Sequence, residues 1–386
     1  MKTLNVAMMG FGNAGQAFAE ILLEKHDRIC EEYGVDVRVT VITTGSRGCL
    51  CCPQGLDLRE ALTLLRSEGR FPVDHPHYWE SEFADCHCAC EPASMTLARE
   101  AEYDVLMELT PLKIFSGQPA ITHLRTALSR GKHAITANKG PIAWAFRQLR
   151  DLAEEKGVKF YYETTVMDGT PIFNLVEETL PLCTVTEVHG ILNTTTNFVL
   201  EELAKGVPYD QVMEEGRRRG FVEADPSMDI EGWDAAAKLT ALLNVLMGAD
   251  ITPRDVDRTG IEKITEDDIR DAASRGNVIK LICHGAFADE APAAAQPGEA
   301  CSQDGQPGEG CGEGLKLSPR RRVIATVRPV EVPRDQLLAN IDGTSSVVSI
   351  TTDLMGKLSI VEHNPEILQT GYGIFSDLMR LIRHLS

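Results

Sequence analysis

The chain lacks any apolar run near the ~18 residues that cross a bilayer, which excludes a membrane-spanning helix. It is poor in basic residues: 38 Lys and Arg stand against 57 Asp and Glu, a formal net charge of −19. That balance argues against nucleic acid or an anionic membrane as partner, because both need a basic face to release counterions. The opening Met-Lys-Thr-Leu-Asn-Val-Ala-Met-Met-Gly reads as a strand and lacks a leader's long apolar region and cleavage site, so a cytoplasmic protein is expected. The 11 cysteines are odd in number, which speaks against a disulfide scaffold. Most fall in two groups, Cys49, Cys51, Cys52 and Cys86, Cys88, Cys90. The second group, with His87, has ligand types that suit zinc, but its alternate spacing is not that of zinc knuckles, and reduced thiols are the preferred reading.

What is present begins with size. At 386 residues, 43% hydrophobic and 25% charged, the chain is long enough for two domains with sizeable cores. Residues 4 to 9 pattern as a buried strand, followed by Gly10-Phe11-Gly12-Asn13-Ala14-Gly15 and an apolar-periodic helix. A Gly-x-Gly-x-x-Gly is informative only in that context, where glycines let a pyrophosphate approach the amides of a helix N-terminus. Dinucleotide binding is therefore expected over a structural glycine turn. The next strand, Val37 to Ile42, ends in Thr43-Thr44-Gly45-Ser46-Arg47 with no acid to take ribose hydroxyls. Ser46 and Arg47 suit a 2′-phosphate instead, so NADP is preferred over NAD.

Further along, a strand Val105-Leu-Met-Glu108-Leu ends in Thr110-Pro111, and a short strand leads into Thr136-Ala137-Asn138-Lys139-Gly140-Pro141. Carboxyl ends of strands are where doubly wound sheets bind ligands, so Lys139 is expected to face cofactor and substrate rather than solvent. Residues 285 to about 317 are rich in Pro, Gly, Ala and Glu without apolar period and read as a disordered surface insertion exposing Cys301 and Cys311.

The densest cluster is Gly220-Phe-Val-Glu223-Ala-Asp225-Pro226-Ser-Met-Asp229-Ile-Glu-Gly232-Trp-Asp234-Ala-Ala-Ala-Lys238. From Asp229 onward it patterns as one helix with Asp229 as cap, which puts Asp234 and Lys238 on one face. Such a pair is often a plain surface ion pair. Here Ala and Leu surround it, so the lysine is expected to be partly buried and to need carboxylate partners, the setting of a proton-transfer lysine.

Taken with the Gly-x-Gly-x-x-Gly turn and Thr-Ala-Asn-Lys, this segment resembles the signature of homoserine dehydrogenases. The resemblance implies an α/β fold. By that resemblance a Rossmann domain is expected over residues 1–142, completed by a C-terminal helix, 361–386, with an α+β substrate-binding and dimerisation domain over 143–360. It implies NAD(P)H-dependent reduction of L-aspartate 4-semialdehyde to L-homoserine in a homodimer. Lys238 is then the proton donor, with Lys139 a second candidate, Glu223, Asp229 and Asp234 receive the substrate, and Thr110 lies beside the cofactor. Family members also hold a monovalent cation, Na⁺, on loop carbonyls that correspond to Glu163, Val166, Asp168 and Thr170. Met167 and Asp168 stand where that loop has glycines, Thr194 replaces another, and 362–369 replaces a Gly-Ala-Gly cofactor loop, so no cofactor contact is carried over to 362–369. Feedback control through the regulatory module that some members append is not expected. These departures keep two alternatives open: a catalytically silent nucleotide-binding paralogue acting as sensor or partner subunit, and an oxidoreductase for another short amino-acid aldehyde.

Overall fold

A computed structural model describes residues 1–80, 92–222, 225–288 and 322–385. Glu223, the Cys86, Cys88, Cys90 group, Cys301 and Cys311 lie outside the described residues. Two six-stranded sheets organise the rest. The first holds β1 (Lys2–Met9), β2 (Val35–Thr43), β3 (Cys49–Cys51), β4 (Val105–Glu108), β5 (His133–Thr136) and β6 (Phe160–Tyr161) in the order β3-β2-β1-β4-β5-β6. All neighbours are parallel except β2 with β3. Residues 105–108 are buried throughout, as a parallel strand covered on both faces requires. Strand order reverses between β1 and β4, so a crevice opens at their carboxyl ends. The sheet continues past residue 142, since β6 pairs with β5.

Helices α1 (Asn13–Tyr33), α2 (Leu58–Ser67), α3 (Ala93–Glu100), α4 (Ala120–Ser129) and α5 (Lys139–Lys156) belong with this sheet. Asp57 caps α2 by accepting from Arg59 N and Glu60 N, and Asn138 caps α5 by accepting from Gly140 N.

The second sheet holds β7 (Val185–Ile191), β8 (Asp257–Arg258), β9 (Asn277–Phe287), β10 (Val323–Pro333), β11 (Ser346–Thr352) and β12 (Gly356–Glu362), in the order β12-β11-β7-β9-β10-β8. With it go α6 (Phe173–Thr179), α7 (Thr194–Ala204), α8 (Tyr209–Arg218), α9 (Ser227–Ile230), α10 (Trp233–Leu246) and α11 (Glu266–Ser274). Strand β9 corrects the start of the expected insertion: Gly285, Ala286 and Phe287 are laddered to β10, and most of the remaining segment lies outside the described residues. Pairing with a partner distant in sequence decides their state, which composition does not register.

The single helix expected from Asp229 is also corrected. Gly232 takes φ 79° and separates α9 from α10, and α10 has no side-chain cap. Glycine adopts that left-handed conformation at little cost, whereas the apolar periodicity runs on across the break.

The last helix, α12 (Ile367–Leu385), starts after β12 has ended at Glu362 in the second sheet, and it returns to pack on α1. A Cβ at Gly371 would stand 2.7 Å from Ala17 Cβ, so the two helices touch at a point only glycine allows. Helices α5 and α10 pack together, and Asn244 Nδ2 donates to Ile142 O at 3.1 Å.

Candidate active site

The site forms where the carboxyl ends of β1, β4 and β5 meet α7 and α10. At the end of β1, Gly10 has φ 105°, and a Cβ there would stand 2.4 Å from Leu109 O. Only glycine fits so close to the β4 end. Gly12 borders open space, since a Cβ there would meet nothing within 4 Å, and it caps α1 without a side-chain hydrogen bond. The N-cap glycine therefore supplies no side-chain bond to the first-turn amides of this 21-residue helix, and among the described residues no other side-chain cap is seen there. A cavity of about 530 Å³ lies there, lined by Gly10, Phe11, Gly12, Asn13, Ala14 and Gly15, by Thr43 to Arg47 at the end of β2, and by Leu109, Thr110 and Pro111. Ser46, Arg47 and Thr110, proposed from sequence, thus share one cavity with the glycine turn. Its uncapped amides and close-approach glycines fit a dinucleotide.

Contacts run from this cavity to the carboxylate cluster. Asn138 Nδ2 donates to Thr110 O at 3.0 Å, and Lys139 is the first residue of α5. Lys139 Nζ lies 3.1 Å from Asp234 Oδ1, while Lys238 Nζ lies 3.0 Å from Asp234 Oδ2. One carboxylate thus bridges a lysine at the end of the Rossmann sheet to a lysine of the second unit. The side chains of Lys139, Asp234 and Lys238 are 20%, 14% and 18% exposed. Lys238 also donates to Leu192 O at 2.8 Å. Burial works to raise the Asp234 pKa, but Lys139 and Lys238 overcome it and hold the group below the ordinary carboxylate range. Burial likewise works to lower the Lys238 pKa, and Asp234 reverses it, so Lys238 holds its proton more firmly than a free lysine.

Asp229 joins the same group through Asn193, whose Nδ2 donates to Asp229 Oδ1 at 2.7 Å and to Asp234 Oδ2 at 3.0 Å. Burial and then the Asp234 charge raise the Asp229 pKa. Asn193 also caps α7 by accepting from Thr196 N at 2.8 Å. Thr194 is the first residue of α7, a helical position at which a β-branched residue is accommodated.

The loop after β6 carries the expected cation positions. The Glu163 carboxylate accepts from the amides of Ile172, Phe173 and Asn174 at 2.5, 2.8 and 2.7 Å and so organises the start of α6. Met167 and Asp168, where the resemblance implied glycine, have φ 55° and 51°, a conformation that costs non-glycine residues on the order of 1–2 kcal/mol each. α12 holds them there: Thr370 donates to Asp168 Oδ1 at 2.7 Å, and a Cβ on Gly169 would meet Gln369 O at 2.4 Å. Among the described residues, Thr164 Oγ1 is buried beside this loop without a hydrogen-bond partner.

Two contributors were not found from sequence. Asn193 is of a residue type that caps helices, but nothing local points it at the acids. Glu362, at the end of β12, feels the charges of Asp168 and Lys238; burial, then Asp168, pushes its pKa to about 7, and among the described residues its buried Oε2 has no hydrogen-bond partner. Cys49 and Cys52 are buried and Cys51 half-buried, all as free thiols, and burial raises the pKa of Cys49 and Cys51.

A sheet with the dinucleotide order, a glycine turn at its switch point and a protonated lysine held by a bridging carboxylate define a nicotinamide-dependent oxidoreductase. The comparisons with known proteins agree. Residues 171–379 match the homoserine dehydrogenase family model, and residues 10–163 match that for the homoserine dehydrogenase NAD-binding domain. A homoserine dehydrogenase of Methanocaldococcus jannaschii is 32% identical over 98% of each chain. An NAD(+)-dependent homoserine dehydrogenase of Pseudomonas canavaninivorans is 30% identical over 99% of this chain and 97% of its own. A hyperthermophilic archaeal homoserine dehydrogenase solved with NADPH superposes with TM-score 0.74 at 25% identity, covering 99% of this chain and 98% of that one. The chain belongs to the homoserine dehydrogenase family, and it is an NAD(P)-dependent oxidoreductase. Neither a silent paralogue nor a different aldehyde reductase is favoured by these matches.

Proposed function

We propose that the chain reduces L-aspartate 4-semialdehyde to L-homoserine with Lys238 as the proton donor to the forming alkoxide. The observation that carries this reading is the Lys139–Asp234–Lys238 bridge. The bound nicotinamide cofactor supplies the hydride for the aldehyde carbon. Lys238 supplies the proton, and Asp234 keeps it loaded by outweighing desolvation. Lys139, on the cofactor side, adds positive charge beside the reacting oxygen and is the second candidate donor. Asp229 and Asp234, with Glu223, receive the substrate ammonium group; the Asn193 amide, donating to both aspartates, supports their placement.

NADP is the preferred cofactor in this reading, because Ser46 and Arg47 line the cavity at the β2 end and among the described residues no acid lines it to take ribose hydroxyls. The carbonyls of Glu163, Val166, Asp168 and Thr170 hold a monovalent cation, a proposal supported by the partnerless Thr164 Oγ1 beside the strained loop. The protein is a cytoplasmic homodimer pairing through the second sheet. Exposed Ile324 and Val330, which share one face of β10, support that, and among the described residues no helix is long and apolar enough to cross a membrane.

Incubating the protein with L-homoserine and either NADP⁺ or NAD⁺, while following nicotinamide absorbance, tests the reading. Reduction of the cofactor that depends on homoserine is expected, faster with NADP⁺. No absorbance change with either cofactor would overturn it.

A further inference from the structure

A second buried network lies against the cofactor cavity and takes no part in the lysine–aspartate bridge. His123 on α4 and Glu108 at the end of β4 are both 0% exposed. His123 Nδ1 lies 3.2 Å from Glu108 Oε1, and His123 Nε2 lies 2.9 Å from Ser94 Oγ on α3. The Thr110 hydroxyl donates to the same Glu108 Oε1, and Thr110 N–H reaches Oε2 at 3.3 Å. Ser94 and Thr110 both line the cavity that contains the glycine turn.

With His123 as a neutral imidazole and Glu108 as a carboxylate, the hydrogen-bond inventory sets the polarity of the network. A carboxylate only accepts, so Glu108 takes the Thr110 O–H and the His123 Nδ1–H. A neutral imidazole that donates from Nδ1 must accept at Nε2, so Ser94 donates its own proton to His123. Both hydroxyl protons are then committed to the protein interior, and what Ser94 and Thr110 offer the cavity is lone pairs. The uncapped amides of α1 present the opposite polarity, donors suited to phosphate.

We propose that Glu108 and His123 are positioning residues that lock the Ser94 and Thr110 hydroxyls as an acceptor wall, which binds the nicotinamide cofactor through its hydrogen-bond donors. The inference rests on the reading of this cavity as the cofactor site. The donors on such a cofactor are the carboxamide NH₂, the ribose hydroxyls and the adenine amino group; Thr110 lies at the β4 end of the cavity, away from the β2 end where the adenosine 2′-phosphate is placed, so the carboxamide and the nicotinamide ribose are the candidates. A wall that only accepts grips the cofactor through these groups and gives nothing to a version in which they are missing. Without His123 and Glu108, each hydroxyl would be free to rotate and present its proton.

The test is cofactor affinity, read by titration calorimetry on the full chain. NADP⁺ is compared with its 3-acetylpyridine analogue, which has a methyl in place of the carboxamide NH₂, and with an analogue deoxygenated on the nicotinamide ribose. The wild-type protein is expected to bind NADP⁺ about tenfold more tightly than at least one analogue, and which one identifies the donor. Thr110→Val, Ser94→Ala and His123→Phe should weaken NADP⁺ binding while pulling that ratio toward one, and Thr110→Ser, which keeps the hydroxyl, should retain it. Thr110→Val and Ser94→Ala are conservative changes at the cavity wall, so they decide the matter even where His123→Phe does not fold. Equal weakening for NADP⁺ and both analogues, with ratios unchanged, would mean a purely structural network and overturn the inference. A wild-type protein that binds no nicotinamide cofactor would overturn the reading of the cavity itself.

Discussion

Replacing Lys238 by methionine keeps the length of the side chain and removes its ammonium. In the native site that group bonds Asp234 Oδ2 at 3.0 Å and Leu192 O at 2.8 Å. Loss of a positioned proton donor costs roughly 10²- to 10⁴-fold in kcat, about 3–5 kcal/mol of transition-state stabilisation. The structural effect must be separated from this. Asp234 keeps Lys139 and Asn193 as partners, whereas Leu192 O is left without its donor, a penalty of about 1–3 kcal/mol. Unfolding midpoints therefore accompany the kinetics. The assay is nicotinamide absorbance at saturating cofactor, with the NADPH Kd measured by fluorescence. The expected outcome is a large fall in kcat with the cofactor Kd changed less than about twofold, because the cavity proposed for the cofactor contains none of the atoms removed. Lys238→Arg sharpens the test, since a guanidinium keeps the charge but does not release a proton at working pH. Wild-type kcat in either variant would refute proton donation by Lys238. A loss of rate that disappears as cofactor is raised would place the residue in cofactor binding instead.

Arg47→Ala should raise the Kd for NADP⁺ at least tenfold while changing that for NAD⁺ less than twofold; parallel changes would remove Arg47 from 2′-phosphate recognition. Glu362 has its pKa raised from 4.5 to about 7, so the folded state binds that proton more tightly than the unfolded chain. Its contribution to stability is then full below about pH 4.5 and is lost as pH climbs through about 7, on the order of 1 kcal/mol after solvent screening. Thermal midpoints of Glu362→Gln should lack that part of the decline between pH 5 and 8, and curves that parallel wild type would contradict it. Gly371→Val places side-chain atoms where Ala17 Cβ already stands 2.7 Å from a bare Cβ, so overpacking should lower stability by about 1–3 kcal/mol in urea unfolding. An unchanged midpoint would mean that α12 does not dock on α1 as described.

The parts of the site that were legible in the sequence are those whose geometry is local. The glycine turn needs only a strand before it and a helix after it, and both periodicities lie within residues 2 to 33. Asp234 and Lys238 meet because four residues make about one helical turn, and the apolar surroundings already implied a partly buried lysine. Illegible parts come from pairing at long range. Asn193 reaches Asp229 and Asp234 from 36 and 41 residues away, and Glu362 arrives at the end of an edge strand whose partner, β11, is itself placed by β7. No period or spacing encodes such a meeting. The break at Gly232 was hidden for a different reason, since apolar residues keep helical phase on both sides of it and only the φ of one glycine differs.

The left-handed residues Met167 and Asp168 show how a departure from a family pattern is absorbed. Read locally, a β-carbon at each position predicts that the loop must change course. The backbone keeps φ near the values a glycine would adopt, because Met167 is 4% exposed in the core and Asp168 is tied to Thr370. Tertiary contacts of that kind outweigh a local cost of on the order of 1–2 kcal/mol per residue. The compensation comes from α12, the same helix whose Gly371 lets it sit on α1. The strain in the loop and the docking of the final helix are therefore coupled. Loosening α12 should release Asp168, and with it one of the carboxylates that hold the proton on Lys238.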